Sequence, residues 1–229
     1  MHRPPPSRVE DLRRNIVRLA ALTTAAIRCG TDALLENDLE AASRTIDDDD
    51  AVDALRHAIE DECLYLLGQR CSSATEVRQV GTTMRVVYEL ERSADLMVNI
   101  AKTTWRLHPF SLDAVSRSIV EQLCEQVILQ TRVAVNAFVD LDPSGAAALV
   151  DMDDTVDELH KALLRHLLAG GGEVPIDDAT VPRAVQLALV AHHYERIGDH
   201  AVNIAEQVYR VTNGRRRTRA RRPETLSAL

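Results

Sequence analysis

Aromatic residues make up only 3% of this 229-residue chain, and glycine occurs just nine times. A β-sandwich of this length draws on more aromatic and β-branched cross-strand pairs and on more turn glycines, so the scarcity of both excludes an all-β fold. Leu, Val, Ile and Ala must build the core, which favours helix on helix. No window approaches the roughly 18 apolar residues of a membrane span, and the opening Met1-His2-Arg3-Pro4-Pro5-Pro6 lacks the apolar stretch of a secretory signal. A cytoplasmic protein with no membrane insertion is expected. The four cysteines, Cys29, Cys63, Cys71 and Cys124, show no CxxC spacing; they read as reduced thiols, mostly packed in the core, and exclude a zinc knuckle or a disulfide framework.

Charge is unevenly spread. From residue 210 onward seven arginines face the single acid Glu224, so the net charge of −8 conceals a body of −14. Such a body repels nucleic acid and attracts cations, and no nucleic-acid partner is expected for it. The basic tail, 213–229, reads as a disordered terminus; contact of the tail with an acidic partner, RNA or anionic lipid stays open.

Apolar residues recur at helical spacing throughout, as in Val9, Leu12, Ile16, Leu19 and Ala20. Six helices are predicted over 8–36, 39–70, 75–107, 112–140, 144–168 and 177–212. The breaks between them carry recognisable chemistry: Cys71-Ser72-Ser73, Pro109 before a Ser111 cap, Asp142-Pro143 as cap and first-turn proline, and Gly170-Gly171-Gly172 before Pro175. Pro182 should delay or kink the start of the sixth helix.

Shifting the chain by 104 residues superposes two blocks without a gap. In the first, Asp49, Asp50, Val52, Asp53, Leu55 and Ala58 match Asp153, Asp154, Val156, Asp157, Leu159 and Ala162. In the second, Glu91, Arg92, Asp95, Val98, Asn99, Ile100 and Ala101 match Glu195, Arg196, Asp199, Val202, Asn203, Ile204 and Ala205. Two separated blocks sharing one offset indicate a tandem duplication. The expected fold is all-α, two tandem three-helix bundles, with one repeat over 8–108 and the other over 111–212.

The matched acids are spaced four apart, which sets each pair on one helix face. If helices two and three form an antiparallel hairpin, Asp49 and Asp53 lie level with Glu91 and Asp95, about 30 Å from the turn at ~1.5 Å per residue. Asp153 and Asp157 stand likewise against Glu195 and Asp199. Any single pair fits a solvated helix face, but four facing carboxylates repel one another unless something positive sits among them. A metal ion meets that need; so do internal salt bridges from Arg92 and Arg196. The eight carboxylates are therefore candidate metal ligands. Oxygen ligands suit iron(III), manganese, magnesium or calcium, with zinc a further candidate. His192, His193 and His200 lie near the second set as candidate outer-shell groups.

The segment Tyr194-Glu195-Arg196-Ile197-Gly198-Asp199-His200-Ala201-Val202-Asn203-Ile204-Ala205-Glu206 closely resembles the ERIGDHAxNIAE signature of the PhoU family. The DxxVDxL elements at Asp49–Leu55 and Asp153–Leu159 and the second E(D)xxxD copy at Glu91–Asp95 extend the resemblance over roughly 8–212. It implies two three-helix bundles, commonly a homodimer, with metal clusters at the E(D)xxxD motifs. It also implies negative regulation of phosphate uptake, through the phosphate ABC transporter and its associated phosphate-sensing histidine kinase at the cytoplasmic membrane face. The chain departs from the signature at Ser93 and Ala94, where isoleucine and glycine are usual, which questions close helix packing there. An enzyme is not expected. Di-iron oxidation centres pair a glutamate with a histidine three residues on, whereas Glu60, Glu91, Glu158 and Glu195 are followed at that position by Cys63, Ala94, Lys161 and Gly198. A metal-binding helical interaction module unrelated to phosphate is the other reading.

Overall fold

The computed structural model describes residues 8–68, 73–169 and 180–213, and these contain helices and no strand. Seven helices run in order: α1 Arg8–Glu36, α2 Leu39–Asp47, α3 Asp49–Gly68, α4 Ala74–Leu107, α5 Ala114–Asp140, α6 Pro143–Leu168 and α7 Thr180–Asn213. The all-α expectation holds, and most boundaries fall within two or three residues of those predicted. The expected turns at Cys71-Ser72 and at Gly170 to Pro175, and the basic tail from 214, lie outside the described residues.

Capping explains most ends. Asp38 accepts hydrogen bonds from Glu40 N and Ala41 N to open α2. Asp142 does the same for Ser144 N and Gly145 N at α6, where Pro143 takes the first helical position. The corners before these caps repeat with the 104-residue offset. Asn37 and Leu141 both adopt the left-handed conformation, and Asp38 N and Asp142 N reach back to Ala33 O and Ala137 O at 2.9 and 2.8 Å. Ser73 caps α4 in a reciprocal box with Glu76. Pro182 sits at the third position of α7, where no intrahelical donor is lost.

Two expectations are corrected. The single helix predicted over 39–70 is interrupted at Asp48, a turn residue separating α2 from α3. Four consecutive aspartates are poor helix interior but good first-turn residues, so the chain stops and restarts with Asp49 and Asp50 against the positive end of the α3 dipole. The cap predicted at Ser111 is Asp113 instead. Its carboxylate takes Val115 N, Ser116 N and the Ser116 hydroxyl, which a lone serine cannot do at once. Of the cysteines, Cys63 and Cys124 are buried but Cys29 is exposed, and Cys71 lies outside the described residues.

Within the first repeat α1 and α4 run parallel: Thr23 donates to Leu90 O at 3.3 Å, and Gly30 meets Met97. The second repeat is placed head to tail against the first. Glu89 of α4 meets His200 and Asn203 of α7, while Arg183 near the start of α7 stacks on Phe110 beyond the end of α4. Further ties cross from α1, where Thr31 Oγ1 lies 2.6 Å from the buried Tyr194 hydroxyl and Leu35 O accepts from Arg117 of α5 at 2.9 Å.

The core follows from this arrangement. One apolar cluster joins Leu19, Val52, Leu90 and Cys63 to Ala134, Leu149, Ala201 and Val208. The other joins Ile27, Met97 and Ile100 to Leu123, Val156, Tyr194 and Ile197. Both of these large clusters draw on both repeats, while a small third one, Ala33, Ala42 and Ala101, lies within the first; neither repeat buries its own apolar faces unaided. The contacting bulk is shared differently in the two copies. A Cβ on Gly30 would stand 2.8 Å from Met97 Cε, whereas the matching positions are Ala134 and Ala201.

A shared core predicts one cooperative transition. Leu90→Ala in the first repeat and Ile197→Ala in the second should each cost about 2–5 kcal/mol and lower the midpoint of the same urea transition without changing its slope. Two resolved transitions, each sensitive to one substitution only, would contradict the shared core.

Candidate functional site

The acidic faces lie where the hairpins α3–α4 and α6–α7 pair their flanks. In the first repeat α3 contributes Asp49 and Asp53, four apart on one face, and α4 contributes Glu91 and Asp95. Asp49 and Glu91 both feel the charges of Asp53 and Asp95. The Asp49 carboxyl is pushed up from 3.8 to about 6, by burial first and then by the charges of Asp95, Asp53, Glu91 and Asp50. Glu91 is also raised, by burial and by Asp95, against the opposing pull of Arg92 and Arg56. The hairpin therefore brings the four acids near one another.

The second repeat brings together Glu195, Asp199 and Asp157 in the same way. Glu195 is raised by burial first and then by Asp199, with Asp157 adding to the effect and His192 and His160 opposing it. Asp153 is buried at 8% exposure and reaches toward α7 beside Gly198. A methyl group there would stand 3.0 Å from Gln130 Oε1 and 3.6 Å from Asp153 Oδ1. That contact accounts for the departure at Ala94. The position matching Gln130 is Ala26, so the first repeat has room for the extra methyl, and Ala94 stays buried at 1% exposure.

Basic side chains stand beside both faces. In the first, Arg92 Nη1 lies 3.2 Å from Asp95 and its Nε 3.8 Å from Glu91. Arg56, on α3, sits 3.7 Å from Asp53 and 2.9 Å from Glu60. In the second, the His192 imidazole places Nδ1 3.2 Å from Glu195 Oε2. Glu91 Oε2 and Glu195 Oε2 are both buried without a hydrogen bond. A buried carboxylate oxygen without a hydrogen bond on each face, among repelling neighbours, fits a cation. As the side chains stand, no group of three His, Cys, Asp or Glu residues among the described residues is drawn tightly enough to hold an ion.

The histidines divide. His192 belongs to the acidic face, but His200 points the other way and joins the repeats, its Nδ1 2.6 Å from Glu89 Oε2. The Nδ1 of His193 is buried without a partner, and burial lowers its pKa. Arg56 and His160 were not among the residues singled out from sequence. They match at the 104-residue offset, one turn beyond the acids, and differ in type, which is why a search for identities passes over them.

The PhoU domain matches this chain twice, over residues 16–104 and 120–208. The chain belongs to the PhoU family. The two PhoU domains keep the offset read from the acidic blocks. The chain is 32% identical to the phosphate-specific transport system accessory protein PhoU homolog 1 of Mycobacterium tuberculosis over 211 residues, covering 90% of this chain and 92% of that protein. A PhoU homolog of Zymomonas mobilis is 30% identical over 223 residues, covering 95% and 90%. The crystal structure of PhoU from Pseudomonas aeruginosa superposes with a TM-score of 0.82 at 27% identity, covering 91% of this chain and 98% of that one. The phosphate transport system regulatory protein PhoU from Streptococcus pneumoniae shares the fold, with a TM-score of 0.80 at 24% identity over 90% and 95% of the chains.

The raised Asp49 carboxyl has a consequence for the metal-free protein. Its proton is held more tightly in the folded state, at about 6, than at the ordinary 3.8. This stabilisation is fully present below the lower value and lost as pH rises through the higher one. Asp49→Asn cannot ionise, so in chelator its melting temperature should rise relative to wild type across that window. A wild-type-to-variant difference independent of pH would show that Asp49 is not strained.

Proposed function

We propose that this chain is a regulatory accessory protein of phosphate-specific transport, which restrains phosphate import when phosphate is plentiful. The observation that carries the reading is the double PhoU match spanning both repeats, supported by relatives named as accessory proteins of that system. Its physical basis is a helical body with acidic faces and no catalytic constellation recognised in the sequence, which acts by occupying a partner's surface. The partner class is the cytoplasmic face of the phosphate ABC transporter or its phosphate-sensing histidine kinase, met by a homodimer. No helix among the described residues is long and apolar enough to cross a membrane, consistent with a protein that visits that surface from the cytoplasm.

In the same reading Asp49, Asp53, Glu91 and Asp95, and Asp153, Asp157, Glu195 and Asp199, hold metal ions, with iron, manganese, magnesium and zinc as candidates. A bound ion supplies the positive charge that relieves carboxylate repulsion and ties the two helices of each hairpin together. Deleting the gene, in a strain without a second copy, should leave phosphate uptake high and phosphate-starvation genes expressed in phosphate-rich medium. Normal uptake and normal repression would end the regulatory reading.

Metal should also appear as stability. An ion binding only the folded state at a hundredfold over its Kd adds about 2.7 kcal/mol, so the loaded protein should melt above the chelated one. Equal melting temperatures, with no metal in purified protein by mass spectrometry, would remove the metal from the proposal while leaving the regulatory role to its own test.

A further inference from the structure

Away from the acidic faces, an open cleft lies between the end of α4 and the start of α7. Its volume is about 850 Å³; Phe110, Val181 and Val185 line it, with Arg106, Arg183 and Gln186 around them. That volume falls within the roughly 300–1,000 Å³ of sites that receive a ligand or a partner's side chains. Val181 and Val185 are 64% and 51% exposed, and Leu189, also exposed, continues their stripe. Spaced four apart on one helix, the three form an apolar ridge about 12 Å long at ~1.5 Å per residue.

Exposed valines by themselves carry no meaning. Here they adjoin unsatisfied polar groups. The Arg183 guanidinium lies over the Phe110 ring, 4.7 Å from its centroid, which holds a charge beside the apolar lining. Among the described residues neither Arg106 nor Arg183 forms an ion pair, although the body as a whole carries −14. Gln186 Oε1 is buried without a hydrogen bond, so an acceptor in the lining lacks its donor.

The other end of the molecule supplies an internal comparison. At the 104-residue offset Val181 matches Val77, but Arg183, Val185 and Leu189 match Gln79, Gly81 and Arg85, and Arg165 and His166 of α6 match Asp61 and Glu62 of α3. One end therefore joins a longer apolar ridge to basic side chains, and the other joins a shorter one to acids. An apolar patch rimmed by charge of the sign opposite to the body marks an interaction surface.

Resting on the regulatory reading above, we infer that this cleft is where the protein docks its partner, and that the docked element is a segment of the partner protein with apolar side chains flanked by carboxylates. Apolar anchors fill the space against Phe110, Val181 and Val185. Carboxylates pair with Arg106 and Arg183, whose forked donors suit them, and a backbone N–H satisfies Gln186. Arginine beside aromatic and aliphatic groups is the composition of an interface core. An anionic bilayer would meet the same arginines, but also the repulsion of an acidic body, and lipid is entered by a protruding apolar surface, not by a cleft.

Binding of the full-length protein to the phosphate transporter and to the histidine kinase of the same organism, each in nanodiscs, tests this, with empty nanodiscs as reference. Val181→Asp/Val185→Asp and Arg106→Glu/Arg183→Glu should each weaken binding about tenfold or more. Leu64→Asp/Val77→Asp, equally exposed at the other end, should leave it unchanged. A photo-reactive group at position 185 should join an apolar, carboxylate-bearing stretch of the partner. Reversing those carboxylates to lysine should restore binding to the Arg106→Glu/Arg183→Glu protein, a rescue that misfolding cannot imitate. Wild-type binding retained by both cleft variants would overturn the inference and leave the regulatory reading standing. So would a crosslink to residues 170–179 of this chain, equal binding to empty nanodiscs, or a loss of binding that coincides with a change of oligomeric state; these assign the cleft to the chain's own segment, to lipid and to a second copy. Wild type that binds neither transporter nor kinase would remove both this inference and the partner class on which it rests.

Discussion

Everything in this molecule hangs on the packing of α4 against α7. These two helices carry the second acidic pair of each repeat on one side and the largest share of the buried core on the other, including Leu90, Met97, Tyr194 and Ile197. Because they run head to tail, the Glu89 carboxylate of one repeat meets His200 and Asn203 of the other across the join. The helices that carry the two acidic faces are thereby joined through one shared centre. Neither face can shift without disturbing a core that the other face also uses.

The acids themselves work against the fold. Burial and mutual repulsion raise Asp49, Glu91 and Glu195, so each hairpin carries stored electrostatic strain that the apolar core offsets. Such groups are expected at functional sites, where a ligand relieves what folding alone leaves unresolved. The first repeat has relieved part of the strain internally through Arg56 and Arg92. In the second, the imidazoles of His192 and His160 oppose the rise at Glu195. A duplicated scaffold has thus been given two different electrostatic solutions.

Much of this was legible before any coordinates. Apolar spacing and capping residues located the helices, and one constant offset gave the duplication and put the acids near one another across the hairpins. What stayed hidden has physical reasons. The break at Asp48 depends on how four successive aspartates share one helix terminus, which hydrophobic periodicity does not register. Asp113 outcompetes Ser111 as a cap because its carboxylate takes three donors, a matter of local geometry. Arg56 and His160 differ from each other, so identity between repeats could not reveal them, though their shared position could. The interleaved core was invisible because periodicity shows which face of a helix is buried and not which helix buries it.

The trade of bulk at Gly30 and Met97 against Ala134 and Ala201 bears on how the two copies have aged. A glycine facing a methionine and an alanine facing an alanine fill comparable space by different divisions. Neither member of a pair can be carried into the other repeat alone: a methionine at 201 would press on Ala134, and an alanine at 97 would leave a void beside Gly30. The repeats have therefore drifted by coupled steps, and descent from a common unit no longer makes them interchangeable parts.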